Sequence, residues 1–428
     1  MSSLVPETWS VEPIRNVASP DDRYSFTGGP FGSDLKSDDY TDYGVRIIQL
    51  QNIGDGQFKN KYKIYTSEEK ADLLHSCNIF PGDIILSKMG DPVARAVIIP
   101  SLSKRYVMAS DGIRLSVDHE KYDTKFVHDT INFETFRAQA ELNSTGSTRK
   151  RIGLTQLREL TLLLPPLPEQ QKIAAILTSV DDVIEKTQAQ IDKLKALKTG
   201  MMQELLTRGV GVDGKPHTEF KDSPVGRIPK GWEVEALKEF TSFLSYGFTN
   251  PMPEAENGPY MITAKDINNL KIQYSAARKT SQEAYDDLLT RKSRPEMNDI
   301  LLTKDGSLGR VALVTESNCC INQSVAVITP NSRVIPKFLL YLLASPAYQQ
   351  EMLDKAGGST IKHIYITVVD KMLVAVPSLE EQEKLVAIFD SVFCKLELAE
   401  KKFNKLKNTK KALMQDLLTG KVRVKVDS

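Results

Sequence analysis

Two short polar segments carry the residue types best suited to contact with a polyanion. Gly146 is followed by Ser147, Thr148, Arg149, Lys150 and Arg151. Much later, Gly358 is followed by Ser359, Thr360, Ile361, Lys362 and His363. Small hydroxyls, backbone N–H groups and adjacent cations are the donors that phosphate oxygens take up. Upstream of each segment, two more cations flank a glycine-containing turn: Lys88 and Arg95 around Gly90, Lys304 and Arg310 around Gly306. Glycine lets a backbone come close to a duplex. These residues are the candidates for binding DNA. Gln49, Gln51 and Asn52, which follow the polar stretch GGPFGSDLKSDDY, are the candidates for base readout. Their amide edges match adenine in a major groove.

Catalytic chemistry is poorly served by comparison. Gly209 to Lys215 has the spacing of a phosphate-binding loop, but Pro216 stands where a Ser or Thr is needed, and no helix start follows. Pro20-Asp21 with Asp34-Leu35-Lys36 fits a loose nuclease pattern that has no copy in the second half. Pro165-Pro166 reads as a strand-to-helix break, and no base-clamping methyltransferase motif is present. The five histidines are scattered, and the four cysteines (Cys77, Cys319, Cys320, Cys394) form no CxxC pair. No metal site, no catalytic site and no bound cofactor are therefore expected. At 428 residues, 41% hydrophobic and 26% charged, the chain is a folded protein of two or three domains. Its net charge of +1 means that any nucleic-acid surface must come from local clustering. The N-terminus lacks an apolar leader and no run is long enough to span a bilayer, so a cytoplasmic protein is expected.

The candidate residues must be positioned by a duplicated framework. Residues 165–207 and 377–419 repeat each other without a gap: Gln170 matches Gln382, and Leu206 matches Leu418. Pro6-Glu7-Thr8-Trp9 matches Pro229-Lys230-Gly231-Trp232, and these hold the only two tryptophans. GDIILSKMG from Gly82 matches NDILLTKDG from Asn298, and each reads as strand–turn–strand. The implied organisation is a mixed α/β domain (1–164), a long helix (165–208), a Gly/Pro/Asp-rich linker (209–228), a second α/β domain (229–376), a second long helix (377–419) and a short tail (420–428).

Each helix carries an apolar stripe in alternating steps of three and four. In the first it runs through Ile173, Leu177, Val180, Ile184, Thr187, Ile191, Leu194, Lys198, Met201 and Leu205. In the second it runs through Leu385, Phe389, Val392, Leu396, Ala399, Phe403, Leu406, Lys410, Leu413 and Leu417. A sustained 3.5-residue period asks for a partner helix. Two matched copies therefore predict mutual pairing, antiparallel and with pseudo-two-fold symmetry, as a rod of about 60 Å. Two diverged globules on a stiff rod suit a DNA duplex, whose major-groove sites recur every ~34 Å.

Taken together, the repeated P-x-L-x-EQ helix start, the paired tryptophan openers, the GDIILSKMG and NDILLTKDGSLGR segments, the GSTxK loops and FKDSPVGRIPKGWEV resemble the specificity (S) subunit of type I restriction–modification enzymes. The resemblance covers nearly the whole chain. It implies two target-recognition domains that read an asymmetric bipartite DNA target, and spacer helices that dock two methyltransferase (modification) subunits, with translocating restriction subunits joining that core. It also implies a non-catalytic subunit, with S-adenosylmethionine, ATP and Mg belonging to the partners. The competing expectation is a coiled-coil scaffold that assembles proteins without itself reading sequence.

Overall fold

The computed structural model describes residues 5–147, 149–358 and 362–426. The chain divides into two compact units. The first holds Met1–Thr187 together with Lys402–Ser428, and the second holds Gln188–Lys401.

Both units are built on one plan. In the first, a four-stranded antiparallel sheet runs in the order Phe26–Gly28, Gly112–Leu115, Ile84–Ser87, Ala96–Ile98. In the second, Thr241–Tyr246, Val325–Pro330, Ile300–Thr303 and Val311–Leu313 take the same order. The strand–turn–strand expectation thus holds for both copies. The motif's aspartate is structural. Asp83 is buried, accepts from the Phe80 N–H and pairs with Arg114 at 2.7 Å. Asp299 is buried, accepts from the Glu296 N–H and pairs with Arg291 at 3.1 Å. Each opener strand pairs antiparallel with the strand just before the long helix: Ser10–Pro13 with Thr161–Leu164, and Glu233–Ala236 with Leu373–Val376.

The long helices span Leu167–Arg208 and Leu379–Leu418. All twenty stripe positions are buried or half-buried, while most positions between them are exposed. In the first unit, Ile173 and Leu177 share a core with Leu413, Leu417 and Leu418, and Asp181 pairs with Lys410 at 2.5 Å. In the second, Met202 and Leu206 share a core with Leu385 and Phe389, and Lys195 pairs with Glu400 at 3.1 Å. Residue numbers rise along one helix as they fall along the other, so the pairing is antiparallel within each unit. The matched lysines are satisfied differently: Lys410 by the Asp181 carboxylate, Lys198 by lying 4.0 Å from the Phe393 ring centre. Burial, together with Lys195 nearby, pushes the Lys198 ammonium below its ordinary value despite Glu400; a ring face suits such a cation.

Candidate nucleic-acid interface

The structure brings the expected Lys turn and the basic loop together in each unit. In the first, the Lys88 carbonyl accepts from the Ile152 N–H at 3.0 Å, and the Lys150 carbonyl accepts from the Gly90 N–H at 3.1 Å. Arg151 bridges to both Met89 and Thr145. Gly146, next to Thr145, takes φ +98°, a conformation that side chains disfavour. In the second, the Lys304 carbonyl accepts from the Ile364 N–H at 3.0 Å, and His363 bridges to Asp305 and Gly357. Thr148, Ser359 and Thr360 lie outside the described residues.

The charges in these loops are unevenly committed. Lys150 pairs with Glu141, and Arg151 with Asp111. Among the described residues, Lys88, Arg149, Lys362 and Arg310 have no carboxylate partner. Ser147, Arg149, Lys362 and Arg310 are exposed, and Arg310 donates to the Ile267 carbonyl at 3.3 Å. Lys304 pairs with Asp305 at 2.7 Å, and His363 bonds the same carboxylate. Burial would raise the Asp305 carboxyl, but bonds from His363 and Lys304 hold it below its ordinary value.

Other candidates stand apart from this cluster. The half-buried Arg95 guanidinium lies against Gly90, and its Nε is buried without a partner. Its neighbour Arg137 is pushed down to about 10, first by burial and then by the Arg95 charge, against the pull of Asp55. Asn52 is fully buried. Its amide donates to the Lys59 and Tyr62 carbonyls and accepts from the Gln49 N–H, which leaves no edge for a base. Gln49 donates to the Tyr40 hydroxyl at 3.2 Å, and only Gln51 is exposed.

Sequence reasoning missed a pair of buried locks. The Trp9 indole donates to Glu169 at 3.1 Å, and Arg423 pairs with that carboxylate at 2.7 Å. The Trp232 indole donates to Glu381 at 3.1 Å, and that carboxylate also accepts from the Val210 and Gly211 N–H groups and meets His217 at 2.9 Å. The next residue, Gln170 or Gln382, donates to the Pro165 or Pro377 carbonyl at the helix start. The repeated Trp and Glu-Gln were the available signal; their contact was not readable.

The family model described as the type I restriction modification DNA specificity domain matches residues 44–196 and 229–408, most of the chain. The chain belongs to this family. It is a DNA specificity subunit, which carries recognition rather than catalysis. It is 25% identical to the type I restriction enzyme EcoBI specificity subunit of Escherichia coli, over 98% of this chain and 86% of that protein. It is 24% identical to a putative type I restriction enzyme specificity subunit, MjaX, of Methanocaldococcus jannaschii, over 98% of this chain and 95% of that one. Among solved structures it resembles the type I restriction–modification S subunit from M. genitalium, with a TM-score of 0.59 at 15% identity over 97% of each chain. A chain solved in work on complex assembly and conformational transition of the type I R-M system also gives 0.59, at 16% identity over 98% of this chain and all of that one. These likenesses support the fold of a specificity subunit. Among the described residues, no His/Cys/Asp/Glu group is arranged to hold a metal ion, and no helix is long and apolar enough to cross a membrane.

Proposed function

We propose that each unit reads one half of an asymmetric bipartite DNA sequence, with the domain boundaries expected above. The antiparallel helices fix the spacing and dock two methyltransferase subunits, which restriction subunits then join. S-adenosylmethionine, ATP and Mg act on those partners, in the cytoplasm. The observation that carries this reading is the recurrence, in both units, of one backbone construction around Lys88 and Lys304 with different surrounding side chains. A shared frame supplies the same phosphate-facing backbone twice, and divergent side chains supply two different readouts. Arg149, Lys150, Arg151 and Ser147 with Lys88 serve the first half-site. Lys304, Lys362, His363 and Arg310 serve the second, and the exposed Gln51 is retained as a base contact.

The test is duplex binding against salt, with the chain assembled with its methyltransferase subunit. Reversing the charges of Arg149, Lys150 and Arg151 is expected to weaken binding to all sequences and to flatten the log–log salt slope by about one unit per lost phosphate contact. Unchanged affinity and slope would remove the loop from the interface. Binding without sequence preference in the unaltered complex would favour a scaffold.

A further inference from the structure

The two clefts share a frame but differ at two matched positions. Leu86 pairs with Ile113, which pairs with Gly28. Leu302, its repeat, pairs with Ala326, which pairs with Tyr246. Gly28 and Tyr246 therefore occupy one position. Gly153 and Tyr365 occupy another, since each follows the isoleucine whose N–H bonds the Lys88 or Lys304 carbonyl.

The frame around these positions is pinned alike. A Cβ on Gly29 would come within 2.0 Å of the Ala109 oxygen, and one on Gly247 within 1.8 Å of the Ile321 oxygen. Both glycines are thus locked against the neighbouring turn, and the contrast beside them lies in side chains. In the first unit the glycines help line an open cleft of about 1330 Å³, shared with Lys88, Arg151 and Phe31. In the second, Tyr246 and Tyr365 line a cleft of about 360 Å³ with Lys304 and His363. Tyr246 is 40% exposed and Tyr365 52%, so neither ring is there to fill a core. The Lys304 ammonium lies 5.6 Å from the Tyr246 ring centre. The Lys88 ammonium stands 3.7 Å from where a Gly28 Cβ would be, so the matched position offers it no side chain.

Exposed rings beside cations in a cleft can meet base edges in a groove, because a phenol hydroxyl hydrogen-bonds an edge and the ring packs against a thymine methyl. We infer that the Gly28/Tyr246 and Gly153/Tyr365 exchange determines specificity: the two tyrosines contact bases in the half-site read by the second unit, and the two glycines leave the first unit's cleft open for a different one. This rests on the reading that each unit takes one half-site.

The experiment selects bound duplexes from a randomised library, using the chain assembled with its methyltransferase subunit. Three forms are compared: unaltered, Tyr246→Gly with Tyr365→Gly, and Tyr246→Phe with Tyr365→Phe. The glycine variant is expected to lose about tenfold or more of its preference at one or two base pairs of one half-site, leaving the other intact. Preference kept at the remaining base pairs of that same half-site reports correct folding of the second unit. The phenylalanine variant is expected to keep the preference that ring packing on a thymine methyl provides and to lose what the hydroxyl reads. Two unchanged half-sites in the glycine variant would overturn the inference, and so would loss of both. An unaltered complex that selects no sequence would instead overturn the underlying reading.

Discussion

Replacing Glu381 by glutamine tests the lock at the start of the second long helix. The carboxylate is almost fully buried. One oxygen accepts from the Trp232 indole at 3.1 Å, while the other serves Val210 N–H at 3.0 Å, Gly211 N–H at 3.2 Å and His217 at 2.9 Å. Glutamine keeps the shape and one oxygen. That oxygen best serves the three-donor side, which leaves the amide NH2 facing the indole N–H, donor against donor. A buried hydrogen bond to a charged group is lost and its donor orphaned, at about 2–3 kcal/mol. The two tryptophans sit one per unit, so a Trp9→Phe background makes Trp232 fluorescence report the second unit alone. At a urea slope of roughly 2 kcal/mol per M, the unfolding midpoint should fall by about 1 M. A midpoint unchanged to within about 0.25 M, or about 0.5 kcal/mol at that slope, would refute the reasoning, because it would mean that the carboxylate does not hold the 209–217 segment in place.

Leu396→Asp places a charge in the seam at a buried position and should destabilise the second unit by several kcal/mol, read from the same Trp232 transition; an unaffected transition would argue against the helix pairing. Acid should act on Asp129 in the first unit. Burial would raise this carboxyl, but His128 and Lys125 hold it below its ordinary 3.8. A depressed folded value contributes stability above that pH and loses it as pH falls through the lower one. The gap in urea midpoint between the unaltered chain and Asp129→Asn should therefore be wide near about pH 6 and narrow steadily as pH falls below the ordinary 3.8. A gap that stays constant across that range would show that the ion pair is not the source.

The framework was legible because it is written in periods. A 3.5-residue stripe and a gapless repeat are one-dimensional patterns that survive without coordinates, and the pairing of Ile173 with Leu417 and of Leu206 with Leu385 follows from them. The loops at Lys88 and Lys304 were legible for the same reason: each motif occurs twice. Burial of an individual polar side chain carries no such signature. Asn52 looks like a base reader in sequence, yet it spends its whole amide on a local turn. Arg95 looks like its repeat-mate Arg310, yet it turns inward beside Arg137, while Arg310 remains exposed. The Trp–Glu locks join residues 160 and 149 positions apart, a separation that spacing rules do not reach.

The first unit is not contiguous: it needs Lys402–Ser428, whereas Gln188–Lys401 is a single uninterrupted stretch. The first repeat therefore cannot close its core from its own stretch of chain. Ile173 and Leu177 share their core with Leu413 and Leu417, so the first body stays incomplete until the segment that begins at Lys402 has been made. A break within that segment, which also carries the Arg423 partner of Glu169, would loosen a domain whose other residues lie far upstream.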